Sequence, residues 1–340
     1  MDNYRTKKKI NEIFKQSQQN AKRTTCILCG KSVSSFCNSH VVPRFVLKNI
    51  AENGMVTQPG TYLFGNNYID MEKGISNAET FHIICRDCDN TVFKEYESES
   101  ALTIEPTNKL MAEIALKNVL LILSKRYNEV ELFKIFAQYD KFHGKDVMDE
   151  IHNLDIRDYL FSIKRSKKII DKNLKSGYKL LYWNLFPYVV PIAAQSAIAV
   201  HKNYNGDIIN DNYDYSPDIR MQDLHICVFP LKESTSVFIF YHKDDRNYVK
   251  FERAFLRLSE DEKQRYIIYL LFKFTENFLI SPYKAGTIGS YTDLVDLAQE
   301  GICRSNLGFM NSLEYLTGID KKLINWKNVP NLLSEEFKIR

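Results

Sequence analysis

The sequence predicts an α+β protein, a small cysteine-rich module followed by a larger domain of mixed helices and antiparallel strands. Three observations predict it. Five of the seven cysteines crowd into residues 26–97, among short strand-like pieces and glycine-containing turns. Helical periodicity takes over from about residue 108, where apolar residues recur every three or four positions. A β-rich section opens at about residue 178, and helices return after residue 252. The division that follows is a basic N-terminal helix over 1–25, the cysteine-rich module over 26–105 and an α+β domain over 106–340.

Taken in order, residues 4–23 form an amphipathic helix, with Ile10, Ile13 and Phe14 on one face and lysines around it. A small hairpin, TYLFGNNYIDM, fills part of the interval after residue 60. NKLMAEIALKNVLLILSKRY and EVELFKIFAQY read as helix. YWNLFPYVVPIAAQSAIAV, 182–200, is the longest apolar stretch, but Asn184, two prolines, Gln195 and Ser196 make it buried strand and turn, not a membrane span. AIAVHKNYNGDIIN carries an Asn-Gly turn between two runs, a hairpin signal. DLHICVFPL and TSVFIFYH form a second hairpin, apolar on both faces and so central in a covered sheet. Ser259 caps the next helix ahead of an acidic first turn, and Pro282 is expected to stop it.

At 44% apolar and 26% charged residues the chain has the composition of a globular protein with a real core, which excludes a disordered or fibrous one. The net charge of +4 hides an asymmetry. Residues 1–25 carry seven basic side chains against two acidic, a net of +5, and residues 161–179 carry seven against one, a net of +6. The rest nets −7. Two basic segments on an acidic body suit a polyanion-facing surface, and Lys164, Arg165, Lys167 and Lys168 are its candidate phosphate contacts. The bland alternative is two solvated helix faces. The charged N-terminus has no apolar leader segment, so the chain is expected to be cytoplasmic, where cysteines stay reduced.

Paired CxxC motifs in such a setting indicate metal before disulfide. Cys26-Ile-Leu-Cys29-Gly and Cys85-Arg-Asp-Cys88 each place two thiolates on one ion, and together they complete a four-cysteine structural zinc site. A second partition is open: Cys26, Cys29, Cys37 and His40 on one metal, with His82, Cys85 and Cys88 on another. His40 is thus a catalytic base, a zinc ligand or a packed ring on the residues alone. Asp89, Phe93 and Glu97 recur every fourth position, which would set two carboxylates on one helix face beside it. His225, Cys227 and His242 read as ordinary sheet residues. No dinucleotide fingerprint, Walker loop, GxSxG or HExxH occurs.

The order knuckle, then Ser39-His40-Val41-Val42-Pro43, then a second CxxC opening a helix (Cys85 to Asp89-Asn90) resembles zinc-stabilised HNH nucleases of the ββα-metal group. More narrowly, SHVVPRFVLKNI with CRDCDNTVFKEYE resembles a group of largely uncharacterised bacterial HNH-like proteins. The resemblance spans 26–97 and is fainter elsewhere. It implies that His40 is a general base activating water against a phosphodiester. It further implies a catalytic divalent cation, Mg2+ or Mn2+, held by helix residues such as Asp89, Asn90 and Glu97. DNA or RNA would then be the partner, with Arg44 beside the motif as a further phosphate contact. A role in phage or mobile-element defence is an expectation from the same resemblance. Three departures stand out: Ser39 replaces the usual acid, Asp89 replaces a usual histidine, and the middle asparagine has no clear counterpart, Asn77 being nearest and Asn66 or Asn67 farther. They leave open a non-catalytic zinc module that binds nucleic acid or a protein partner. A third reading puts function in the C-terminal domain.

Overall fold

The computed structural model describes residues 3–58, 71–138, 145–211, 214, 216–298 and 324–340. Its frame is a seven-stranded antiparallel sheet, and the order of strands explains how the small module is held. The strands are β2 (Met55–Gln58), β3 (Met71–Gly74), β5 (Tyr178–Phe186), β6 (Ile192–Ile198), β7 (Leu224–Pro230), β8 (Thr235–His242) and β9 (Phe278–Ile280). They run in the order β3, β2, β9, β6, β7, β8, β5. β6, β7, β8 and β9 are buried along their whole length, as the doubly apolar runs predict.

Side chains alternate between the two faces, so each strand feeds two cores. Ala194, Ile226, Val228, Ile239, Phe278 and Ile280 face helices α7 (Tyr248–Phe255), α8 (Glu260–Phe274) and α9 (Pro282–Gly289). Ala193, Cys227, Phe229, Phe238, Phe240 and Leu279 join the opposite core. That core contains the long helix α5 (Asn108–Phe136), part of its partner α6 (Lys145–Asp171) and the apolar residues of the cysteine-rich module. The N-terminal helix α1 (Asn3–Asn20) packs along α5, and the Arg23 guanidinium lies 5.0 Å from the centre of the Tyr127 ring.

The module follows in chain order: β1 (Ser39–His40), α2 (Arg44–Ile50), the β2–β3 hairpin, β4 (Thr80–Phe81), α3 (Arg86–Val92) and α4 (Glu99–Leu102). β1 pairs with β4, Ser39 opposite Phe81 and His40 opposite Thr80. Strand, strand and helix therefore meet beside the cysteines. The expected boundary at 105/106 does not separate two sheets. Thr57 of β2 pairs with Ile280 of β9, which makes the module's hairpin the edge of the large sheet. Asn49 on α2 also donates to the Pro230 carbonyl at 3.0 Å.

Two local expectations need correcting, and a third falls outside the described residues. The Asn-Gly segment turns, with Gly206 at φ 87°, but closes on a single bridge between Lys202 and Ile208 and forms no hairpin of strands. Asn203 fixes that loop through its own side chain, accepting from the amides of Asn205 and Asp207. β6 pairs instead with β7 and β9. Pro282 does not stop α8, which ends at Phe274 behind an extended Thr275; the next residues are drawn into the sheet as β9, and Pro282 opens α9. The hairpin read over 61–71 centres on residues outside those described, as do Asn66 and Asn67; the strands of the hairpin flank it at 55–58 and 71–74. Ser259, by contrast, caps α8 with a full capping box to Glu262.

Candidate metal centre and the His40 site

The first knuckle is shaped by Gly30, whose φ of 72° is a left-handed conformation that favours glycine. This lets Gly30 N–H return to the Cys26 carbonyl at 2.8 Å, while Cys26 N–H reaches the Lys31 carbonyl at 2.9 Å. The second pair sits at the start of α3, with Cys85 at its N-cap. Backbone bonds tie the two halves: Ile27 N–H to the Ile83 carbonyl and Cys37 N–H to the Ile84 carbonyl, each 3.0 Å.

The result is that the Sγ atoms of Cys26, Cys29, Cys85 and Cys88 all lie within 4.8 Å of one another. Cys26 to Cys88 and Cys29 to Cys85 are both 3.8 Å. A tetrahedron of sulfurs around zinc at ~2.3 Å has edges of about 3.8 Å, so the residues fit such an ion. Cys85 N–H also points at Cys26 Sγ, 3.3 Å away. Burial works against ionising Cys26, yet the N–H groups of Cys85, Cys29 and Leu28 outweigh it and lower its pKa to about 7. The cluster could hold a metal ion such as zinc. The competing partition does not form among the described residues: Cys37 turns its thiol to Asp89, His40 lies outside the cluster, and His82 is exposed.

His40 ends β1 half-buried, where its Nε2 meets the Ile75 carbonyl at 2.9 Å. A carbonyl can only accept, so Nε2 carries the proton and Nδ1 keeps its lone pair. Burial is the chief cause of a pKa below the usual 6.5, and the charges of Lys117 and Arg44 push the same way against the Ile75 carbonyl. The Ile75 carbonyl thereby fixes the orientation of the ring. Asn77 is exposed in the following turn.

Beneath β1 lies a group the sequence reading did not select. Lys117, on α5, is fully buried, and its Nζ lies 3.0 Å from Glu97 Oε1, 3.3 Å from Asp89 Oδ1 and 3.1 Å from the His40 carbonyl. The ammonium also faces the ring of Phe93 at 4.6 Å and that of Tyr96 at 5.3 Å. Asp89 accepts from Ser39 Oγ at 2.6 Å and from the Cys37 thiol at 3.1 Å. Burial alone would raise the Asp89 pKa, but Lys117, Ser39 and Cys37 hold it below the carboxylate range. Burial together with Asp89 pushes Cys37 up to about 11. Tyr96 completes the support, its hydroxyl meeting the Val41 carbonyl and lying 2.6 Å from Gln195 Oε1 on β6.

Asp89 and Glu97 do converge near His40, but not on one helix face as their spacing predicts: α3 ends at Val92, Glu97 lies in the turn that follows, and the two meet on an ammonium. The catalytic cation expected from the resemblance does not fit that pair as it stands: Lys117 Nζ already spans the two carboxylates, and the Asp89 oxygens are occupied by three donors. Asn90 is exposed and contributes none of these contacts. Arg44 is exposed at the start of α2 and reaches Ser76 Oγ at 3.3 Å.

The basic residues of α6 divide. Lys164 and Lys168 are exposed. Lys167 pairs with Asp171 at 2.5 Å. Arg165 is not a surface contact: its side chain is 10% exposed and forms two 2.7 Å bonds to the buried Asp245. His225 and Cys227 are buried sheet residues, His225 bonded to Asn118.

No family model matches this chain, and neither a curated protein nor a solved structure matches it. Among the described residues, no helix is long and apolar enough to cross a membrane.

Proposed function

We propose that the cysteine-stapled unit is a phosphodiester-cleaving centre acting on nucleic acid, HNH-like in layout, with a structural zinc on Cys26, Cys29, Cys85 and Cys88. The observation that carries this reading is the state of His40: Nε2 is committed to the Ile75 carbonyl, and the ring is held neutral with its Nδ1 lone pair available. A neutral imidazole with one basic nitrogen is what general-base attack on phosphorus requires at neutral pH. Arg44, exposed and near enough for its charge to act on the His40 ring, offers a planar pair of donors for the phosphate oxygens. Zinc, when bound, closes the knuckle onto α3 and so fixes the strand that presents His40. Lys117 holds that strand from below through the His40 carbonyl.

The test is incubation of plasmid DNA and of single-stranded RNA with the purified protein beside a His40→Ala variant. Cutting by the first and not the second supports the proposal; equal cutting by both removes His40 from it. A second reading is favoured by the saturation of Asp89: the layout serves as a non-catalytic module that binds nucleic acid or a protein partner. It is upheld if both proteins leave the nucleic acids whole while still retarding them on a gel.

A further inference from the structure

The pair of carboxylates beside His40 has the charge and spacing of a cation site, and a lysine stands in it. Lys117 comes from α5, outside the cysteine-rich unit, and no part of it is exposed. Its Nζ takes the place between Asp89 and Glu97, with the His40 carbonyl as a third oxygen. A divalent ion entering there would meet a buried positive charge a few ångströms away and would have to strip Asp89 of Ser39 and Cys37. We infer that Lys117 is the resident cation of this centre, that no divalent ion binds there, and that the nucleic acid it opens is RNA.

The last step rests on the reading of His40 as base and follows from the chemistry left without a metal. Water attack on a DNA phosphodiester has then no Lewis acid for the developing charge. RNA carries its own nucleophile, placed next to phosphorus, and so needs only a base and a phosphate clamp. His40 Nδ1 removes the proton of the ribose 2′-hydroxyl, and the 2′-oxygen forms a bond to phosphorus. The bond from phosphorus to the 5′-oxygen breaks, and that oxygen takes a proton from solvent. The products are a 2′,3′-cyclic phosphate and a free 5′-hydroxyl, with Arg44 set to hold the phosphate oxygens throughout.

Two measurements on the full zinc-loaded chain separate the parts. The first titrates Mn2+ into the protein and follows the spin-resonance signal of the free ion. The expected result is no loss of signal at the His40 centre. One ion bound per chain, released in the Asp89→Asn variant, overturns the inference. The second offers RNA and an all-deoxy strand of the same sequence in buffer freed of divalent ions by a chelating resin. RNA cut to cyclic-phosphate ends by wild type and not by His40→Ala, with the deoxy strand intact, supports it. Cleavage of DNA that appears only on adding Mg2+ or Mn2+ overturns it while leaving the nuclease reading standing. If neither strand is cut under either condition, the RNA assignment falls together with that reading, and the Mn2+ result alone then decides the role of Lys117.

Discussion

At the scale of single residues, two charged groups near His40 should behave differently because they differ in exposure. Lys117 is fully buried, and truncating it in Lys117→Met would leave Asp89 mostly buried without its counter-charge. Breaking such a pair costs about 3–5 kcal/mol, so urea unfolding should show a loss of that size. Glu97, at 53% side-chain exposure, is screened by water, and Glu97→Gln should cost less than about 1 kcal/mol. The His40 ring makes a pH prediction. Its pKa lies below the usual 6.5 when folded, so cleavage should fall off at a more acid pH than it would with an unperturbed imidazole as the base. The stability sign agrees: the unfolded ring accepts a proton that the folded one resists, so this contribution is present above pH 6.5 and declines as pH falls below it. A rate profile and a pH series of melts check the two halves. The thiol quartet is legible in its doubled spacing, and His40 only as a candidate from its place before Val41-Val42-Pro43. Lys117 is not. Its only trace is a lone lysine inside the apolar run AEIALKNVLLIL, where burial on all sides obliges a charge to find partners that sequence cannot name.

At the scale of elements, α6 shows why a basic run is not a binding surface residue by residue. Lys164 and Lys168 face water, while Arg165 one position on grips Asp245 inside the molecule. The double variant Lys164→Ala, Lys168→Ala should therefore weaken RNA binding and lower the slope of log affinity against log salt by about 2, without moving the melting temperature. Arg165→Ala should do the reverse, leaving the slope unchanged and destabilising the fold, though by less than the about 3–5 kcal/mol of a fully unpaired buried charge, because Arg220 still bonds Asp245. Filter binding over a salt series and a thermal melt distinguish them. Periodicity located α5 and α8 because a helix's apolar spacing and caps are local properties, and Thr107 and Ser259 both cap as their residue types suggest. It failed at 197–210 and at Pro282 because strand pairing is a contest between distant partners. β6 is claimed by β7 and β9, and residues 278–280 become strand only because β2 and β6 lie on either side of them.

At the scale of the whole molecule, one sheet takes strands from both of the parts that composition divides. The split at 105 reflects a real change from cysteine-rich loops to long helices, but it says nothing about which edges meet. β2 and β3 extend the large sheet through β9, Tyr96 joins Val41 to Gln195 on β6, and Lys117 reaches from α5 under β1. The apolar residues of the module share one core with α5 and the underside of the sheet. Separating 1–105 from 106–340 would thus remove the buried partners of Asp89 and Glu97 from the first piece and leave Ala193, Phe229 and Leu279 less covered on the second. The zinc-loaded chain should accordingly melt in a single calorimetric transition whose van't Hoff and calorimetric enthalpies agree. Expressed alone, residues 106–340 should elute from a sizing column as aggregate. Two resolved transitions, or a monomeric and cooperatively folded 106–340, would mean that the module is a separate domain resting on the sheet, and that Lys117 meets Asp89 by docking and not by folding.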